Sequence, residues 1–178
     1  GRCLSQPAAW ARAWVPFAYR FPVDRLIGCF KYSGDQIAGR VLAGAVAAEA
    51  SHRLEAGTIP PECLVPVPLH PSRARERGFD QAVAVAGTIG HRLDLPVRAD
   101  LIERTRPTRT QASLGAQERS RNLRGAFAPT GRPVSGHVAL VDDVLTSGAT
   151  AAAAAHALYR AGASRVDVWC IARGGSQR

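Results

Sequence analysis

Six residues within nine consecutive positions carry the chemistry that this chain advertises: Asp142, Asp143, Thr146, Ser147, Gly148 and Thr150. Two adjacent carboxylates are acceptors when ionised, which suits a vicinal diol such as that of ribose. Thr and Ser hydroxyls are donors. The backbone N–H groups at a helix start favour an anion. A glycine among them lets the main chain come close to a phosphate. The combination points to a phosphorylated sugar, with Asp142 and Asp143 at its hydroxyls and the loop Val144, Leu145, Thr146, Ser147, Gly148, Ala149 and Thr150 around its phosphate. A simple helix N-cap would need one such residue, not six. The chain contains no G-x-x-x-x-G-K-[ST], so this is not a nucleoside-triphosphate P-loop.

The elements that must position these residues are legible around them. Val138 to Val141 reads as a buried strand, and the alanine-rich stretch Ala149 to Ala161, stopped by Gly162, as a helix. Arg165 to Ala172 reads as a further buried strand. Strand, helix and strand joined by short turns form a parallel crossover unit, and ligands of such sheets bind beyond the carboxyl ends of the strands. Upstream, Gly34 to Glu55 and Asp80 to Leu93 have helical apolar spacing. Cys63 to Val67 reads as a strand, placed at a sheet edge because Pro66 cannot donate to a ladder. Short strands are expected near Ala18 to Phe21 and Val97 to Ile102, a helical turn over Val23 to Phe30 and a short helix over Ala116 to Leu123. The loop after Cys63–Val67 would open on the same sheet edge as the acids. It holds Pro68, Leu69, Arg73, Arg75, Arg77 and Gly78, and arginine suits a forked phosphate contact. We expect a second anion-binding pocket there, with Arg77 and Gly78 favoured. The polar segment 104–122 suits a mobile lid.

The chain has 178 residues, room for one α/β domain with a small appendage. Its formal net charge of +9 favours anionic partners, whether phosphorylated small molecules or nucleic acid. No apolar run approaches the length of a membrane span. No secretory signal is visible, so a cytoplasmic location is expected. Methionine is absent, so the sequence does not open on a start codon. Cys3, Cys29, Cys63 and Cys170 are scattered, without a C-x-x-C, and Cys29, Cys63 and Cys170 read as reduced core thiols. The aromatics between Trp10 and Tyr32 are dense. They are expected to cover a core edge and not to stack bases.

Three stretches resemble a known family. VALVDDVLTSGAT, Val138 to Thr150, resembles the 5-phosphoribosyl 1-diphosphate (PRPP) loop of type I phosphoribosyltransferases. CLVPVPLHPSRARERGFDQA, Cys63 to Ala82, resembles the ComF/GntX group, with Asp80 where asparagine is usual. In the stretch from Arg104 to Phe127, Arg104, Thr108, Gln111, Leu114, Arg121, Asn122, Ala126 and Phe127 match that group as well. The resemblance implies a type I phosphoribosyltransferase-like α/β fold. Its mostly parallel twisted sheet would be flanked by helices over residues 36–178, preceded by a small N-terminal hood over 1–35. It implies a magnesium-dependent glycosyltransferase acting on PRPP, with Mg2+ carried mainly by the substrate beside Asp142 and Asp143. It also implies that the anion of the second pocket, in the loop after Cys63–Val67, is a diphosphate. Arg104, Gln111, Arg121 and Asn122 would belong to the lid. Such proteins often begin with a four-cysteine zinc module, of which Cys3 would be the last ligand; zinc is expected only with that module. The resemblance also implies a link to DNA uptake in competent bacteria and single-stranded DNA as a partner; a homodimer is a separate expectation. A non-catalytic module that senses PRPP or a nucleotide, and a single-stranded-DNA-handling competence protein, stand as alternatives.

Overall fold

A computed structural model describes residues 9–70, 72, 73, 75, 78–106, 123 and 125–175. Its centre is β6 (His137–Leu145), whose partners on either side are β3 (Cys63–Pro66) and β7 (Arg165–Arg173), both parallel to it. Beyond β7 lie β1 (Arg12–Trp14) and β2 (Phe17–Ala18), which pair in parallel with successive parts of the same strand. The order is therefore β1/β2–β7–β6–β3. Four helices among the described residues accompany the sheet: α1 (Val23–Ser33), α2 (Gln36–Glu55), α3 (Gln81–Leu93) and α4 (Ala149–Ala161). The fold class expected from sequence, an α/β fold with a mostly parallel sheet flanked by helices, is the one observed.

Alternation along the strands sorts the core into two layers. Val138 and Leu140 of β6 and Val166, Val168 and Cys170 of β7 pack against α4 and a small antiparallel ribbon of β4 (Ile102–Arg104) and β5 (Phe127–Pro129). Ala139 and Val141 of β6 and Trp169 and Ile171 of β7 face α1, α2 and α3. Residues Val138 to Val141 are each 0% exposed, as expected of parallel strands covered on both faces.

The structure changes several sequence expectations. Residues 12–18 add two short strands at the sheet edge that the sequence pattern did not mark: Trp14 pairs in register with Trp169 and stacks on it at 4.7 Å, with Arg53 of α2 over its ring. The strand expected at Ala18–Phe21 lies at Phe17–Ala18. Val97 makes only a single bridge to Leu64, and the strand expected from Val97 begins instead at Ile102, in the separate ribbon. β3 does end the strand order, yet its outer side is not bare. Leu64 donates to Pro96 O and accepts from Arg98 N–H. Pro66 has the same parity as Leu64, so its missing donor faces that outer side. Cys29 is exposed, whereas Cys63 and Cys170 are buried as expected. His137 has a partner that spacing did not reveal. Its Nε2 lies 3.1 Å from the buried Asp167 carboxylate, which Arg165 grips with two bonds of 3.1 and 3.0 Å. Cys3, all but Leu123 of the helix expected over Ala116 to Leu123, and the lid residues Gln111, Arg121 and Asn122 lie outside the described residues.

Trp14→Ala removes the stacked partner that anchors the first strand to β7. We expect a loss of about 3–5 kcal/mol, read as a lowered urea midpoint, and a smaller loss for Trp14→Phe.

Candidate functional site

The carboxyl ends of β3, β6, β7 and β2 lie along one edge of the sheet, because all the pairings among these strands are parallel. The strand β6 runs further than the apolar run suggests. Asp142 pairs with Cys170 and Val144 with Ala172, so both acids, together with Val144 and Leu145, are strand residues. Asp142 keeps the parity of Val138 and Leu140, and Asp143 that of Ala139 and Val141. The adjacent acids are thereby aimed at opposite faces of the sheet.

Each acid has a distinct environment. Asp143 is 9% exposed and its Oδ2 is 2.9 Å from Lys31 Nζ, near the end of α1. That end is set by Gly34, left-handed at φ 67°, and by Asp35, which caps α2 by accepting from Ile37 and Ala38 N–H at 2.9 and 3.1 Å. Burial alone would lower the Lys31 pKa, but Asp143, Asp142 and Tyr19 together hold it above the usual lysine value. Asp142 accepts from the Asp143 N–H at 2.8 Å. Burial and the charge of Asp143 push Asp142 from its ordinary 3.8 up to about 7, with Asp80 adding to the rise and Lys31 opposing it. Arg104 of β4, on the face toward which Asp142 is aimed, feels the Asp142 charge. Of the four residues named for the lid, it is the one within the described part of the chain.

Asp80 joins the loop after β3 to α3. Its Oδ1 accepts from Ala82 and Val83 N–H at 2.9 and 3.3 Å, and its Oδ2 from Leu69 N–H at 3.2 Å. All three donors are backbone N–H groups, so a carboxylate serves where a side-chain amide is usual. Burial raises the Asp80 pKa against these bonds, and Asp143 adds to the rise. Leu69 N–H, in the expected diphosphate pocket, is thus committed to Asp80. Pro68 and Leu69 are half-buried, and Gly78 is exposed with φ +75°. Arg77 lies outside the described residues. His70 Nδ1 sits 2.8 Å from Ser72 Oγ and fixes this turn locally.

The loop after β6 is short. Thr146 and Ser147 are exposed, Gly148 is buried, and α4 begins at Ala149. Gly148 is left-handed at φ 77°, and a Cβ there would lie 2.7 Å from Trp10. Only glycine meets both conditions. Ser147 Oγ accepts weakly from Ala149 N–H at 3.4 Å, and no side chain caps α4. Across the loop, Gly174 N–H donates to Leu145 O and the Gly174 backbone approaches the Thr146 methyl. This puts the end of β7 beside the hydroxyls. Sequence reasoning passed over Lys31, Trp10 and Tyr19. All three come from the first 35 residues, and no local spacing links them to Asp143 or Gly148.

The assembled edge holds two buried or half-buried acids, one lysine and a hydroxyl loop at a helix start. It also carries the signatures by which relatives can be sought. The DNA utilization protein YhgH of Escherichia coli (strain K12) is 37% identical over 175 residues, covering 97% of this chain and 77% of that protein. Competence protein F of Haemophilus influenzae is 33% identical over 186 residues, again 97% and 77%. This chain belongs to the ComF family. Competence protein ComFC of Streptococcus pneumoniae is more distant, 27% identical over 157 residues, 88% of this chain and 66% of that protein. No family model matches. Within this ComF-family chain, the type I phosphoribosyltransferase-like architecture places the acid pair and the hydroxyl loop in sequence along β6 and into α4. A cavity of about 530 Å³ between α2 and α3, lined by Arg40, Thr88, His91 and Arg92, is not lined by any of these residues. No helix among the described residues is long and apolar enough to cross a membrane.

Two consequences are measurable. Gly148→Ala forces a side chain into a left-handed position and against Trp10; the backbone penalty alone is about 1–2 kcal/mol, read by chemical denaturation. Asp142 binds its proton more tightly in the folded chain than in the unfolded one. It therefore costs stability as pH rises from about 4 to about 7. Asp142→Asn should raise the melting temperature relative to the parent at pH 8 and leave it unchanged near pH 3, by scanning fluorimetry.

Proposed function

We propose that this chain binds PRPP or another ribose-5-phosphate-bearing nucleotide at the carboxyl end of β6, and that it serves competence-related DNA utilization. The observation that carries the reading is the passage from the acids into α4: Asp142 and Asp143, then the exposed hydroxyls of Thr146 and Ser147, then Gly148 in the left-handed conformation. Thr146, Ser147 and the first N–H groups of α4 would hold the 5′-phosphate. The acids would accept from the ribose hydroxyls. The diphosphate would lie toward the Pro68–Gly78 loop, on the same edge of the sheet. The relatives' printed names, DNA utilization protein and competence protein, support the cellular half of the proposal.

Magnesium fits this set of residues in one way. Among the described residues no three His, Cys, Asp or Glu side chains form a metal group, and Asp143 is engaged by Lys31. An ion would therefore take most of its ligands from the PRPP oxygens and water, as Mg2+ commonly does, with Asp142 its nearest protein carboxylate. When bound it would neutralise the diphosphate as the leaving group. A non-catalytic sensor is the second reading, favoured by relatives whose names speak of DNA and competence and not of transfer chemistry.

Calorimetry with PRPP and Mg2+ tests the reading. Saturable binding is expected, weakened about tenfold or more by Thr146→Val, since a hydrogen bond to a charged group contributes about 1.5–3 kcal/mol. Asp142→Asn combined with Asp143→Asn should abolish it. Diphosphate release in an acceptor screen assigns transfer; binding without release assigns the sensor. Salt-sensitive DNA binding that survives the double change, with no uptake of PRPP, would refute the proposal.

A further inference from the structure

We infer that Lys31 is a positioning residue of this site: from α1 it pins the Asp143 carboxylate, which leaves Asp142, aimed at the other face of β6, as the acid that meets a ribose hydroxyl. The inference deepens the ligand reading above and rests on it for the identity of the sugar. It divides two adjacent acids into two roles.

The geometry supports that division. Lys31 Nζ is 2.9 Å from Asp143 Oδ2, with the side chains only 20% and 12% exposed, so the pair is shielded from solvent though it stands at the open end of the sheet. Asp142 lies in register with Cys170, which packs in the α4 layer, whereas Asp143 meets Lys31 of α1. Asp142 instead accepts from the Asp143 N–H, and Arg104 lies within reach of its charge. The site gathers three carboxylates, Asp80, Asp142 and Asp143. All three would repel a phosphorylated ligand unless a cation offset them. Lys31 supplies that charge from within the fold. Its hold on Asp143 has a local cause: the Gly34–Asp35 break ends α1 two residues after Lys31, where a cation also complements the helix carboxyl end. The groups facing the acids are Lys31 from α1, Asp80 ahead of α3, Arg104 from β4 and Cys170 from β7; Tyr19, after β2, faces Lys31.

Without Lys31, Asp143 is a largely buried carboxylate with no counter-ion. It should then compete with Asp142 for protons, and the two roles should merge. The ion pair is a charge relation between specific atoms, so arginine should preserve it and methionine, of similar volume, should not.

The test uses the full chain with 13C-carboxyl-labelled aspartate, in the parent, K31M and K31R, followed by calorimetry with ribose 5-phosphate. In the absence of ligand, K31M should move the titration of the acid pair to higher pH and K31R should leave it in place. With ligand, K31M should weaken binding about tenfold and K31R less than about threefold. D143N should add nothing further in the K31M background, while D142N should weaken binding equally in both backgrounds. An unmoved titration in K31M, or losses from K31M and D143N that simply multiply, overturns the inference. If the parent takes up no ribose 5-phosphate, the ligand reading falls. The titration then decides on Lys31 alone: a shift upholds its hold on Asp143, and no shift removes it. Circular dichroism of each variant guards against reading a folding defect as a site effect.

Discussion

β6 is hydrogen-bonded on both sides and covered on both faces, and most of the architecture follows from that double confinement. Its four residues from Val138 to Val141 are fully excluded from water between α4 and the ribbon on one side and α1, α2 and α3 on the other. A strand so enclosed cannot slip by one residue without exchanging its two apolar sets. Its register with β7, Val138 against Val166 through Asp142 against Cys170, is therefore fixed. Because the pairing persists past Val141, the two acids leave the core as ordered strand residues. The helix that follows can start only where Gly148 permits the turn.

The electrostatics of the edge grow from the same confinement. Burial strips hydration from Asp142 at the end of β6 and from Asp80 at the start of α3, which raises the proton affinity of both. The structure answers with cations and backbone donors brought from elsewhere: Lys31 from α1, Arg104 from β4, and the N–H groups of Leu69, Ala82 and Val83 on Asp80. Burial and the neighbouring charge raise the proton affinity of Asp142, whereas Asp143 is held in an ion pair with Lys31, so two adjacent residues have different environments. That asymmetry comes from which face of the strand each acid occupies. The same residue type serves both positions.

Legibility in the sequence followed the range of the interactions. The hydroxyl loop, the α4 helix and its stop at Gly162 were readable because glycine, alanine and hydroxyl residues act on their immediate neighbours. Asp80 caps α3 through N–H groups two and three residues on, whereas its bond to Leu69 N–H, eleven residues away, has no local signal. β1 went unread because three residues make too short a pattern, and its strand character comes from Trp14 stacking on Trp169. The β4–β5 ribbon was missed because its two short strands are joined only by an antiparallel pairing across 22 intervening residues. Cys29 was misread because its apolar neighbours Ile27 and Phe30 are buried, while Cys29 itself lies on the outer side of the helix.

The order of residues along the chain by itself determined that a strand would end in two acids and pass through a hydroxyl loop into a helix, since each of those features depends on residues only a few positions apart. Only the folded chain decided which acid would meet a cation and which would accept from its neighbour's N–H. Lys31 and Asp143 are 112 positions apart, and nothing but the packing of α1 on one face of a parallel sheet brings an ammonium to one carboxylate and not to its neighbour.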